Sequence, residues 1–317
     1  DPPTTDQLAR FPGLKAIGVA STARTQSPTW MDAELPDIFA KLAAMKPALM
    51  HYKVCSTLDS SPEVGSIGRA IEIGAKQFSP VSVPILIAAP QMRRYQSFGH
   101  LFAGFRDQVY RLDRHPVMSR HPVTPMHDSD VANHIALQSD KLDLRNLSLE
   151  DLCAGANLPD KTQTSDRITA ITLDCVDDAS ESAAGRLIWE GRHANPFVVG
   201  SQGIEYALVR HWQDTGQIPV AQTPSGIGPS KGLLVVSGSV SPTTADQIAW
   251  ATANGFAAVP FDAACVCAGN EGIEGELASV VDACLTELSE GRDPLVYTAA
   301  GPDDPAVAAF AKAVAAS

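Results

Sequence analysis

Ala48-Leu-Met-His-Tyr-Lys53-Val-Cys-Ser-Thr-Leu-Asp-Ser-Ser61, which runs on into Gly65-Ser-Ile-Gly68, carries most of the structural information in this chain. The apolar run 48–52 reads as a short buried strand, and a helical pattern begins near Gly65. Between them lie Lys53, Asp59 and the hydroxyls of Ser56, Thr57, Ser60 and Ser61. A cation, an acid and several hydroxyls delivered by a strand into one turn suit a small anionic, hydroxylated ligand, because loops on a rigid scaffold carry function.

Working outward, the same strand-to-helix step recurs. Strand patterns fall at 16–20, 48–52, 83–88, 168–173, 197–199, 233–236, 257–259 and 295–297. Amphipathic helical patterns fall at 31–45, 67–78, 129–138, 179–189, 204–212, 243–253 and 275–288. Strands alternating with helices predict an α/β protein of two domains with mainly parallel sheets covered on both faces. The polar stretch 156–166 has no periodicity and several turn formers, so it is the expected linker between a domain at 1–155 and one at 167–317. A second loop, 224–232, is rich in Pro, Gly and Ser and falls within the later domain. No internal repeat stands out.

Composition narrows the function. A hydrophobic content of 44% and a charged content of 19% are those of an ordinary globular protein. The formal net charge of −12 argues against nucleic acid and anionic membrane as partners, since both need a basic surface. An anionic substrate must then be held by local cations, of which Arg24, Lys53, Arg93 and Arg94 are the candidates. Six cysteines show no paired Cys-x-x-Cys framework, and Cys265-Val-Cys267 lacks a second half, so reduced thiols in a cytoplasmic enzyme are expected and zinc is not. No apolar run approaches the roughly 20 residues that span a bilayer. His115, His121 and His127 are six apart among prolines, a spacing that fits neither helix nor strand nor a metal cluster.

In the C-terminal half two strands end in Gly- and Ser-rich turns at helix starts. Phe197-Val-Val199 leads into Gly200-Ser201-Gln202-Gly203, and the strand pattern 233–236 leads into Ser237-Gly238-Ser239-Val240-Ser241. Such turns admit close backbone approach and offer N–H groups and hydroxyls to a phosphate. The alternative is that these hydroxyls only cap helices. Ser241 suits a cap, Pro242 the first helical position and Asn254-Gly255 the end. Neither G-x-G-x-x-G nor G-x-x-x-x-G-K-[ST] is present, which disfavours a dehydrogenase or P-loop enzyme.

The opening segment resembles the lysine-bearing K-x-C-S-T-x-D-S signature of the four-carbon acid sugar kinases. Further blocks follow in family order: Arg94-Tyr-Gln-Ser-Phe-Gly-His-Leu-Phe102, His121-Pro-Val-Thr-Pro-Met126, Val199-Gly-Ser-Gln-Gly203 and Val236-Ser-Gly-Ser-Val-Ser241. Together they span most of the chain. The resemblance implies an N-terminal sugar-acid-binding domain, a Rossmann-like C-terminal nucleotide-binding domain, and ATP-dependent phosphorylation of the terminal hydroxyl of an acid of the threonate, erythronate or 3-oxo-tetronate type. ATP, Mg²⁺ and the acid are the implied small-molecule partners, and the resemblance leaves room for a homodimer.

Carried onto these positions, the resemblance implies that Arg24, Lys53, Ser56, Thr57, Ser60, Arg94 and His121 bind the acid, while Gly200, Ser201, Gly238, Ser239 and Ser241 hold the nucleotide. Ser239 matches the first serine of the family's Gly-Ser-x-Ser. Arg24, in a Ser21-Thr-Ala-Arg turn, would face the carboxylate, which its planar fork can hold with two hydrogen bonds. The family's acidic D-D-x-T-G-A opening, where its candidate base lies, and its closing Gly-Gly-Asp/Glu-Thr-Ser-Gly loop have no counterpart here. The chain therefore reads as a fragment of the family pattern, and Asp59 is the best carboxylate remaining for the base. A non-catalytic relative that keeps acid recognition is the competing reading.

Overall fold

Strands from both sides of the expected linker pair with one another in the computed structural model, which describes residues 2–121, 123–160, 166–220, 222, 224–226, 228 and 230–316. The chain divides into two units, Asp1–Ala221 and Gln222–Ser317.

The first unit runs α1 (Thr5–Ala9), α2 (Pro28–Ala44), β1 (Met50–Lys53), α3 (Ile67–Phe78), β2 (Val83–Leu86), β3 (Arg94–Ser97), β4 (His100–Phe105), β5 (Gln108–Arg111), α4 (Val131–Ala136), β6 (Leu142–Leu147), α5 (Leu149–Cys153), β7 (Ile168–Leu173), α6 (Asp178–Gly191), β8 (Phe197–Gly200) and α7 (Gly203–Asp214). Its main sheet has the order β1-β8-β2-β7-β6, and every pairing is parallel. Residues of β2 and the segment after it alternate between the two faces: Val83, Ile85 and Ile87 join the core under α2 and α3, while Leu86 and Ala88 join the core under α6 and α7.

Local chemistry explains the covering helices. Ser27 accepts from the Trp30 N–H at 3.3 Å and Pro28 opens α2, whose Met31, Leu35 and Phe39 recur at helical spacing and are buried. In α3 Ser66 caps the Arg69 N–H at 3.1 Å, and Ile67, Ala70, Ile71 and Gly74 face the sheet. A Cβ at Gly74 would lie 2.1 Å from the Phe197 ring, so α3 rests on that ring only through a glycine. Phe197 also stacks with Phe78 at 5.5 Å. Burying each such side chain contributes about 1.5–3 kcal/mol.

A second sheet, β3-β4-β5, is an antiparallel meander. Its first hairpin turns on Phe98 (φ 48°) and Gly99 (φ 79°), the positive-φ pair that a two-residue turn with matching twist requires.

The second unit carries β9 (Val235–Ser237), α8 (Pro242–Ala253), β10 (Ala257–Pro260), α9 (Asn270–Ser289), β11 (Pro294–Tyr297) and α10 (Pro305–Ala316). Its sheet, ordered β10-β11-β9, is parallel. Ile248, Ala251 and Leu295 form a core on one side, and Val259, Val280, Cys284 and Val296 form another. The expected α/β class with mainly parallel sheets is what the two units show.

Two expectations need correction. The division at 156–166 is wrong, because β7 and β8 complete the first sheet by pairing with β6, β2 and β1; residues 161–165 themselves lie outside the described residues. The chain divides near 221–222 instead, beside the Pro-, Gly- and Ser-rich stretch 224–232. The segment 16–20 is not a strand, and apart from the partly exposed Val19 its residues are exposed. Conversely β6, an edge strand of alternating Leu and polar residues, and the meander went unread, because their apolar runs are broken by Asp, Arg, Gln and Gly.

Candidate active site

Parallel strands end together, so the carboxyl ends of β1, β8 and β2 form one edge: Lys53 is in register with Gly200, and Gly200 with Leu86. The turn after β1 starts there. Cys55 to Leu58 closes a tight turn with the Leu58 N–H donating to the Cys55 carbonyl at 3.1 Å, and Leu58 itself is fully buried at φ 55°. A branched residue held in the left-handed region is strained, and such strain clusters at functional sites.

The turn's polar groups converge. Thr57 Oγ1 donates to Asp59 Oδ1 at 2.6 Å and lies 3.0 Å from Cys55 Sγ. The Arg24 guanidinium pairs with the other oxygen of Asp59; Asp59 is 6% exposed and Arg24 60% exposed. Gly65 is why Arg24 arrives there. A Cβ on Gly65 (φ 63°) would lie 2.3 Å from the Arg24 carbonyl oxygen, and its N–H donates to the Gln26 carbonyl at 2.9 Å, so the end of the turn packs directly on the arginine's backbone.

Arg94 comes from the start of β3. Its Nη1 is held by the carbonyls of Met92, Arg93 and Gly104 at 3.0, 3.2 and 3.4 Å, while its buried Nε has no partner among the described residues. Burial lowers its proton affinity; Cys55 opposes that, Arg93 reinforces it and Asp59 opposes it, so the guanidinium shares its electrostatic surroundings with the turn. Beside it sits His115, buried, whose Nδ1 accepts from the N–H groups of Val117 and Met118, both at 3.2 Å. Burial and then the Arg94 charge push His115 below its ordinary pKa, so it is neutral.

Lys53 is placed differently. It is exposed, donates to the Val54 carbonyl at 3.3 Å and adjoins Glu205 at the start of α7. Burial pushes Glu205 up, but the hydrogen bond and charge of His51 (Nδ1 at 3.3 Å) together with Lys53 leave it below the usual carboxylate range. Ser56, Thr57 and Ser60 are buried in the turn. His121 bonds its own loop: Nδ1 accepts from the Thr124 N–H at 3.0 Å and lies 3.1 Å from Thr124 Oγ1.

Two residues that the sequence grouped with the nucleotide turn belong to the first sheet: Gly200 ends β8 and Ser201 follows it, whereas β9 is in the other unit's sheet. The Ser201 hydroxyl is buried, donates to the Ile87 carbonyl at 2.7 Å and accepts from the Gly203 N–H at 2.9 Å, the capping role considered as the alternative.

In the second unit the turn after β9 is open. A Cβ at Gly238 would meet nothing within 4 Å. Ser241 caps α8 by accepting from the Thr244 N–H at 3.1 Å, and Ser239 Oγ accepts from Thr244 Oγ1 at 2.9 Å and the Ser241 N–H at 3.3 Å. The loop after β11 reaches the same helix start, since a Cβ at Gly301 would touch Ala245 at 2.9 Å. Hydroxyls, a glycine and a helix N-terminus form a donor set suited to phosphate oxygens. Among the described residues no three His, Cys, Asp or Glu side chains gather as a metal site, and no helix is long and apolar enough to cross a membrane.

Sequence reasoning missed Asp174. This fully buried carboxylate directly follows β7 and accepts from the N–H groups of Phe98, Gly99 (2.9 Å) and Leu149 (3.3 Å) and from Gln96 Nε2 (3.2 Å), pinning the hairpin that carries Arg94. An acid directly after an apolar strand was the available signal.

Known proteins are similar to this chain. A sugar-binding N-terminal domain family matches residues 4–208, and a nucleotide-binding C-terminal domain family matches residues 234–317. The 3-oxo-isoapionate kinase of Paraburkholderia graminis is 42% identical over 97% of this chain, and the 3-oxo-tetronate kinase of Pectobacterium atrosepticum 24% identical over 92%. The chain spans 65% and 66% of the lengths of these two relatives. Among solved structures, a Salmonella typhimurium LT2 protein described as a candidate tRNA synthase has the same fold, with a TM-score of 0.67 and 19% identity over 95% of this chain and 71% of that one. With its N-terminal family model covering well over half its length, the chain belongs to the four-carbon acid sugar kinase family.

Proposed function

We propose that this chain carries the acid-binding and nucleotide-binding parts of an ATP-dependent kinase that phosphorylates the terminal hydroxyl of a short sugar acid. The 3-oxo acids named for its relatives give the substrate class, with the 3-oxo-isoapionate type favoured by the higher identity. The observation that carries the reading is the Arg24–Asp59–Thr57 cluster at the carboxyl edge of a parallel sheet, with the Arg94 guanidinium in the same electrostatic surroundings. In an acidic chain, two guanidiniums held at one turn are a local trap for an anion.

Each residue then has a task. Asp59 and Thr57 fix Arg24, whose exposed remainder offers its fork to the acid's carboxylate. Arg94, gripped from behind by three carbonyls, adds a second fixed positive charge. Asp59 is occupied by Arg24 and Thr57, which suits an anchor better than a base. Gly238, Ser239 and the α8 start receive ATP phosphates, whose charge the accompanying Mg²⁺ neutralises. The protein's work in such a transfer is chiefly positioning.

The test is an ADP-release assay with ATP, Mg²⁺ and a panel of 3-oxo and non-oxo four- and five-carbon sugar acids. Acid-dependent ADP formation is expected. Binding of an acid with no ADP formation from any of them would instead identify a non-catalytic relative.

A further inference from the structure

The family resemblance makes Ser60 a substrate contact, yet its hydroxyl has no valence to spare. A serine oxygen has one proton to donate and two lone pairs. The Ser60 hydroxyl donates to the Leu58 carbonyl at 2.9 Å, accepts from Gln138 Nε2 at 2.9 Å and lies 3.0 Å from His134 Nε2. The Gln138 amide orientation is fixed independently. Its Oε1 accepts from the N–H groups of Ile67 (2.7 Å) and Gly68 (3.2 Å), so its nitrogen must face Ser60. With the Ser60 proton on Leu58, the remaining lone pair faces His134 Nε2, which completes the set as an Nε2–H donor. Burial pushes His134 below its ordinary pKa, with hydrogen bonds to the backbone of Leu58 and Ser60 opposing, so the ring is neutral and can be that tautomer.

We infer that Gln138 and His134 are positioning residues for the acid site. Through Ser60 they hold the carbonyl of Leu58, the one residue of the turn forced to positive φ, and so fix Thr57 and Asp59 where Arg24 meets them. Gln138 does this from outside the signature. It ties the far end of the turn to the start of α3, where Gly68 is required because a Cβ there would lie 2.9 Å from Gln138 Cβ. Ser60 is thus a keystone rather than a ligand. The inference rests on the acid-site reading for its consequence but on geometry alone for its content.

Gln138→Glu isolates the contact. A carboxylate still accepts from Ile67 and Gly68 at the helix start but cannot donate to Ser60. Hydrogen exchange of the 56–61 amides is expected to quicken about five- to tenfold, the worth of one hydrogen bond, with the global unfolding midpoint near that of the parent. The KM for the acid should rise by a similar factor while the KM for ATP holds. Ser60→Ala should give a larger change of the same pattern. Parental exchange at 56–61 in Gln138→Glu would overturn the inference. A parent that turns over no sugar acid would sink the kinase reading, and the exchange comparison would still judge the clamp.

Discussion

Arg24 and Asp59, 35 positions apart in the chain, are paired across the mouth of the signature turn, with the arginine largely in solvent and the aspartate nearly buried. That asymmetry defines what each can do. A buried carboxylate held by a cation and the Thr57 hydroxyl is fixed in place, whereas the exposed cation can take a second anion.

Arg24→Ala should therefore act on binding more than on folding. The exposed side of the pair is screened by solvent, so the stability loss should be about 1 kcal/mol or less. The acid KM should rise about tenfold or more, as expected for losing a charge-assisted contact to a carboxylate. Thermal melts and initial rates check both, and an unchanged acid KM would remove Arg24 from the site.

Lys53→Ala is a sharper probe of the sequence reading. Lys53 is exposed and donates to the Val54 carbonyl, and its charge helps hold Glu205 below the usual carboxylate range. If its ammonium binds the acid, the variant weakens acid binding and leaves ATP binding near normal in calorimetric titration. If only Glu205 uses it, neither affinity moves.

Ser239→Ala should lower ATP affinity by on the order of 1–2 kcal/mol, about one hydrogen bond to a charged group. Ser241 supplies the cap of α8 independently, so the helix should persist. Equal binding of a fluorescent ATP analogue by variant and parent would move the nucleotide elsewhere.

Gly200→Ala tests the strand spacing. The added Cβ would sit 2.1 Å from the Leu86 carbonyl oxygen and 2.8 Å from Ile204 Cδ1, between strands that cannot part without breaking their ladder. Overpacking of this kind costs about 1–3 kcal/mol, and backbone contact puts this case at the upper end. Urea unfolding measures it.

Acid should destabilise the first unit through its buried histidines. His115 and His134 have native pKa values below the ordinary 6.5, because burial disfavours the imidazolium. Above 6.5 both states are neutral and the full stability is present. As pH falls below 6.5 the unfolded chain takes up protons that the native state refuses, so stability is lost progressively down to the native values. The slope of stability against pH between about 7 and 5 should flatten in His134→Gln. An unchanged slope would show that His134 binds its proton equally in both states.

The sequence by itself determined the class of fold and where its densest polar turn falls. Runs such as 168–173 and 197–199 are apolar without alternation because both faces of their strands are covered, and that signal needs no tertiary context. The signature turn was legible because Lys53, Ser56, Thr57, Asp59 and Ser60 are a dense polar cluster directly after such a strand, and the capping residues Ser27, Ser66 and Ser241 act over a few positions. Tertiary structure alone decided which strands share a sheet. β7 and β8 return across the polar stretch at 156–166 to lie between and beside strands formed far earlier in the chain, and a composition shift carries no information about pairing partners. It also decided which hydroxyls are free. Ser60 and Ser201 look like ligands in sequence, but Leu58, His134 and Gln138 take the proton and both lone pairs of the first, and Ile87 and Gly203 take the proton and one lone pair of the second. A side chain's hydrogen-bonding capacity is fixed by its chemistry, whereas the groups that exhaust it are brought together only when distant segments pack.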